Sequence, residues 1–136
     1  MRPRVLIVED DSMTRAALRV ILEREGCEVD LAIDGEKAVG CIAQSAYDAV
    51  VLDIVLPKLS GTDVMEYIAS TRPTMLESVI VVTGLEVQEI RKLFPTVCEA
   101  LSKPVMPSRL IGSIRRCLAA GNRASDSGDV SGISVA

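Results

Sequence analysis

Short apolar runs alternate five times with stretches whose apolar residues recur every three to four positions, which predicts a parallel sheet covered by helices on both faces. The predicted strands are Val5 to Val8, about Cys27 to Ala32, Ala49 to Leu52, Val79 to Val82, and a weaker one near Val97 to Leu101. The first, third and fourth are unbroken apolar runs, as strands buried on both faces require. The second and fifth carry more polar residues, which places them at the sheet edges.

Between the strands, Ser12 is positioned to cap a first helix carrying Ala16, Ala17, Leu18, Val20 and Ile21 on its inward face and ending at Gly26. Asp34-Gly35 opens a second helix with Ala38, Val39 and Ile42 inward. Gly61-Thr62-Asp63 opens a third with Val64, Met65 and Ile68 inward, and Pro73 stops it; Asp63 suits a cap or the helix dipole. A short fourth helix spans about Val87 to Leu93, bounded by Pro95. The fifth starts after Pro107-Ser108, carries Leu110, Ile111, Ile114 and Leu118, and ends near Ala120. Met13, Met65, Met75 and Met106 read as packing residues. From Gly121 the composition turns to Asn, Ser, Asp and Gly, too polar to offset the entropy of ordering. The expected organisation is one domain over residues 1–120 and a flexible tail or linker over 121–136.

Composition narrows the function classes. At 136 residues and 49% apolar, the chain suits a single core. A net charge of -4, with the basic pair Arg115-Arg116 making only a weak patch, argues against nucleic-acid binding. Met1-Arg2-Pro3-Arg4 is followed by four apolar residues before an acidic triplet, too short for a signal peptide or membrane span, so a cytoplasmic location is expected. Cys27, Cys41, Cys98 and Cys117 show no C-x-x-C spacing and read as free packing thiols, with no disulfide expected. The chain has no histidine, so any chemistry rests on carboxylates and lysine.

In an open α/β sheet, ligands bind beyond the carboxyl ends of the strands. Glu9-Asp10-Asp11 follows the first strand and Asp53 follows the third, and right-handed winding brings those ends together. Two carboxylates about 4 Å apart repel by roughly 4 kcal/mol at an effective dielectric near 20, so the cluster calls for a cation. Oxygen ligands without histidine or cysteine point to Mg²⁺. Blander readings exist: the acidic triplet is also a common helix cap, Asp11 especially; Thr83 suits a strand end; Lys103 alone is a surface charge. A carboxylate ending a buried apolar strand, as Asp53 does, is rarer unless paired.

Four segments in order at strand ends, Val8-Glu9-Asp10-Asp11, Leu52-Asp53-Ile54-Val55-Leu56-Pro57 through Gly61, Val82-Thr83-Gly84 and Lys103-Pro104, resemble the response-regulator receiver family over about residues 3 to 119. The resemblance implies a flavodoxin-like, doubly wound five-stranded parallel sheet of order 2-1-3-4-5 with helices on both faces. It implies that Asp53 accepts a phosphoryl group from a phosphohistidine donor, a sensor histidine kinase or histidine phosphotransfer protein. Glu9, Asp10, Asp53 and the backbone carbonyl of Val55 would hold Mg²⁺, while Lys103 and Thr83 would meet the phosphoryl oxygens. The Lys103–Pro104 bond would be cis. Such a chain is a signalling receiver, not a metabolic enzyme: it catalyses only its own phosphorylation and slow dephosphorylation, then signals to a downstream protein or fused output domain.

Two departures bear on readout. The family commonly carries Tyr or Phe three residues before the lysine, where this chain has Ala100. The interval from Thr83 to Lys103 is about two residues short, which shortens or displaces the fourth helix. Ala100 favours an alternative, a receiver-fold interaction module with little or no phosphorylation-dependent switching, whereas the complete acidic pair, Asp53, Thr83 and Lys103 oppose it. An Asp-nucleophile phosphatase of the haloacid dehalogenase type needs an acid two residues after the nucleophile, where Val55 stands. A flavodoxin would need a Ser-, Thr- and Gly-rich loop in place of Glu9-Asp10-Asp11.

Overall fold

The computed structural model describes residues 2–120. Its strands are β1 (Arg4–Val8), β2 (Glu28–Ala32), β3 (Ala49–Asp53), β4 (Val79–Thr83) and β5 (Glu99–Ser102). Its helices are α1 (Ser12–Arg24), α2 (Gly35–Gln44), α3 (Gly61–Thr71), α4 (Val87–Leu93) and α5 (residues 107–120), with a 3₁₀ turn over Pro73–Ser78. The strands form one parallel sheet in the order β2-β1-β3-β4-β5. This is the flavodoxin-like order expected from the sequence, with the two more polar strands at the edges. The expected tail over 121–136 lies outside the described residues.

Strand alternation divides the core in two. Leu6, Val8, Val50, Leu52, Val79 and Val81 pack with Ala38 and Ile42 of α2, Val64, Met65 and Ile68 of α3, and Ile90 of α4. Val5, Ile7, Val51, Ile80 and Val82 pack on the opposite face with Leu18 and Leu22 of α1 and Leu110, Ile114 and Cys117 of α5. Successive residues of each of these strands thus face two helix layers in turn, which is why β3 and β4 are buried along their whole length.

Several expectations need correction. The buried residues of α1 are Leu18 and Leu22; Ala16 and Ala17 are exposed, Val20 is 45% exposed and Ile21 is only half-buried. The i, i+4 leucine pair sets the helix rotation because it offers far more apolar area than alanines. The N-cap is Asp11, not Ser12: the Asp11 carboxylate accepts from the Thr14 N–H at 2.8 Å. Met13 and Met106 are exposed rather than packed, at 81% and 61%. Cys98 and Cys117 form a disulfide, with Cα atoms 6.0 Å apart. Cys98 lies just ahead of β5 and Cys117 on the buried face of α5, so helix-on-sheet packing joins residues 19 positions apart, a proximity that chain spacing does not reveal. Cys27 and Cys41 are free, and Cys27 is buried as expected. Among the described residues, no helix is long and apolar enough to cross a membrane.

Candidate functional site

The register of β1 against β3 pairs Val8 with Leu52, so the next residues, Glu9 and Asp53, emerge side by side at the carboxyl end of the sheet. Both are buried, at 1% and 4% exposure. Asp10 is exposed, and carboxylate oxygens of Glu9, Asp10 and Asp53 lie within 4.8 Å of one another. The Lys103 ammonium reaches in from beyond β5, donating to Glu9 Oε1 at 2.9 Å and Asp53 Oδ2 at 2.8 Å. The peptide bond between Lys103 and Pro104 is cis.

Burial pushes the Glu9 carboxyl above its ordinary value, the Asp53 charge adds to that, and the Lys103 hydrogen bond opposes it. Burial pulls the Lys103 ammonium down, but its hydrogen bonds to Asp53 and Glu9 outweigh this and hold it above its ordinary value. One ammonium balances one of three carboxylates. A site open to solvent through Asp10, built from oxygen ligands and carrying surplus negative charge, fits a hard divalent cation such as Mg²⁺.

The remaining predicted residues lie at the same sheet end. The Val55 N–H donates to Asp53 Oδ1 at 3.0 Å, while its side chain is 59% exposed. Thr83 ends β4, one residue beyond the Val82 that pairs with Asp53; its hydroxyl is buried and accepts from the Leu85 N–H at 2.9 Å. Its carbonyl accepts from the Lys103 N–H at 2.9 Å, which ties the lysine segment to β4. Asp11 stands apart from the cluster as the α1 cap, and hydrogen bonds from the Thr14 hydroxyl and N–H hold its carboxyl below the usual range. Ala100 is buried in β5 within the same cluster as Ile90 of α4.

Other contacts hold the site's loops. A side chain at Gly61 would collide with the Asp53 carbonyl and Ile54, so only glycine lets α3 start this close to β3. Ser60 and Asp63 form a reciprocal capping box at that start. Lys58 takes a positive φ of 61° and sits 3.6 Å from both Asp34 and Glu36, seating the β3–α3 loop on the start of α2. Arg15 Nη1 donates to the carbonyls of Glu9 at 2.9 Å and Asp10 at 3.2 Å. Gly61 closed the Asp53 segment singled out in the sequence, whereas Arg15 was not legible as a site residue. For Arg15 the available signal was its place five residues after Asp10, one turn into a helix capped by Asp11.

The family model for the response regulator receiver domain matches residues 5–115. The chain is 33% identical over 118 residues to response regulator MprA of Mycolicibacterium vanbaalenii, covering 87% of this chain and 51% of that protein. It thus spans about half the length of the curated relatives it matches. A CheY-like response regulator receiver domain protein from Methanospirillum hungatei superposes with a TM-score of 0.82 at 30% identity, covering 91% of this chain and 99% of the other. NtrX from Brucella abortus gives 0.84 at 26% identity, covering 96% of this chain but 30% of NtrX.

Proposed function

The chain belongs to the response regulator receiver family, and on that premise we propose that Asp53 is its phosphoacceptor, with Glu9, Asp10, Asp53 and the Val55 carbonyl as a Mg²⁺ site. The observation that carries this reading is the bridge from Lys103 to both Asp53 and Glu9, at 2.8 and 2.9 Å, over the buried carboxyl end of β3. It leaves a nucleophilic carboxylate beside a cation-seeking acidic pair.

An Asp53 oxygen attacks the phosphorus of a phosphohistidine; the P–N bond breaks, its electron pair returns to the donor's imidazole, and an aspartyl phosphate forms. When bound, Mg²⁺ neutralises charge on the phosphoryl oxygens. The Val55 N–H orients Asp53, and Lys103 exchanges carboxylate contacts for phosphoryl oxygens. The Thr83 hydroxyl, freed from Leu85, donates to the same group. Slow hydrolysis by water resets the site. The donor is a histidine kinase or phosphotransfer protein, and the signal passes to a downstream protein or an output domain.

Incubation with Mg²⁺ and acetyl phosphate, followed by intact mass measurement, tests the acceptor. Wild type gains one phosphoryl group and Asp53→Asn gains none; a gain in the variant places the acceptor elsewhere.

Ala100 favours a second reading, an interaction module with weak switching, because a buried methyl cannot swing as a ring does. Amide shifts recorded with Mg²⁺ and beryllofluoride separate the two. Changes reaching α4 and α5 mean a working switch, whereas changes confined to the pocket mean silent readout.

A further inference from the structure

We propose that Arg15 is a positioning residue for the acidic pair, its guanidinium clamping the backbone of Glu9 and Asp10 so that their carboxylates meet Asp53. The proposal rests on the reading of this cluster as a Mg²⁺ site.

Asp11 caps α1, and the Arg15 N–H bonds the Asp11 carbonyl at 2.9 Å, which places Arg15 one turn into the helix. Side chains on a helix lean toward its N-terminus, so the guanidinium folds back over the β1–α1 loop. There one nitrogen spans two successive carbonyls, at 2.9 Å to Glu9 and 3.2 Å to Asp10. The other ties in this turn hold different atoms: the Glu9 N–H bonds the Ala32 carbonyl, and the Asp11 N–H bonds Glu9 Oε2. Because the Asp10 side chain is exposed, its direction depends on how its own backbone is held. Arg15 supplies that hold from a second element, a fixed planar donor where lysine offers a single mobile point.

The sign of the effect on metal binding separates positioning from bulk charge. A cation this close repels a dication, so charge alone predicts tighter Mg²⁺ binding once Arg15 is removed. Loss of positioning predicts weaker binding, by about tenfold or more, as when partners of metal ligands are deleted.

The test is a Mg²⁺ titration followed by amide NMR shifts on wild type, Arg15→Ala, Arg15→Lys and Arg19→Ala. Arg19 lies one turn further along α1, paired with Glu23 at 3.3 Å, and controls for charge on the helix. Arg15→Ala is expected to bind about tenfold more weakly, Arg15→Lys in between, and Arg19→Ala like wild type. Equal or tighter binding by folded Arg15→Ala overturns the proposal. A second readout needs no metal: Arg15→Ala should speed hydrogen exchange of the Asp11 amide about tenfold, the effect of losing one charge-assisted hydrogen bond that holds the turn. Unchanged exchange also overturns it. If wild type binds no Mg²⁺, the cation reading falls, and the exchange result alone decides the positioning role.

Discussion

Replacing Lys103 with methionine removes the ammonium between Glu9 and Asp53 while keeping most of the stem's packing. Two carboxylates then face each other with side-chain exposures of only 2% and 5%. Leaving a buried charge uncompensated typically costs about 3–5 kcal/mol, but the protein can lower that cost by protonating one acid. Glu9 is the group to protonate, since burial already raises it. Protonating a carboxyl whose ordinary value is 4.5 costs about 3 kcal/mol at pH 7 and under about 1 kcal/mol at pH 5. Solvent reaches the 30% of the Lys103 side chain that is exposed, so we expect about 2 kcal/mol at pH 7. The sign follows from linkage. The folded variant holds a proton on Glu9 that the unfolded chain has released, so stability falls as pH rises above 4.5. Urea unfolding of wild type and Lys103→Met at pH 5, 6 and 7, read as midpoint shifts at constant slope, measures the penalty. Saturating Mg²⁺ should shrink it, because a cation replaces the missing charge. A penalty that is flat across this range, or below about half a kcal/mol at pH 7, would refute the electrostatic account of the pocket.

Three further outcomes follow from the packing. Gly61→Ala forces a methyl against the Asp53 carbonyl and Ile54; it should destabilise by about 2 kcal/mol and shift the Asp53 amide resonance, and a neutral result in urea would show the contact to be slack. Leu22→Ala should cost about 3 kcal/mol and Val20→Ala under about half a kcal/mol, since Leu22 is fully buried and Val20 is 45% exposed; similar midpoints for the two would contradict the observed rotation of α1. Cys98→Ser opens a link between residues 19 apart and should lower stability by about 3 kcal/mol under oxidising conditions, with no difference from wild type once both are reduced; a persistent gap would trace to packing instead.

The fold was legible because five apolar runs alternate with helical periods, and three of those runs are apolar enough to demand burial on both faces. The span of α4 was readable from Val87 and the stop at Pro95. The gathering of Glu9, Asp10 and Asp53 followed from strand order alone, since β1 and β3 are neighbours and their acidic residues come directly after the buried runs. What remained hidden was set by tertiary packing. The rotation of α1 depended on which apolar residues had enough area to win the sheet, and Leu22 outweighed the alanines. The disulfide depended on where α5 lands on β5. Arg15 and Lys58 act through backbone carbonyls and loop carboxylates whose positions exist only once the strands are assembled.

We propose that Asp53 carries the phosphoryl group and does so with a divalent cation. The most direct measurement is to phosphorylate the chain with acetyl phosphate and Mg²⁺, reduce the acyl phosphate with borohydride to an alcohol, and map the modified residue by tandem mass spectrometry. Homoserine is expected at position 53 alone, and is lost when Mg²⁺ is chelated beforehand. Modification at Glu9 or Asp10, or labelling of Asp53 that persists without any divalent cation, would contradict it.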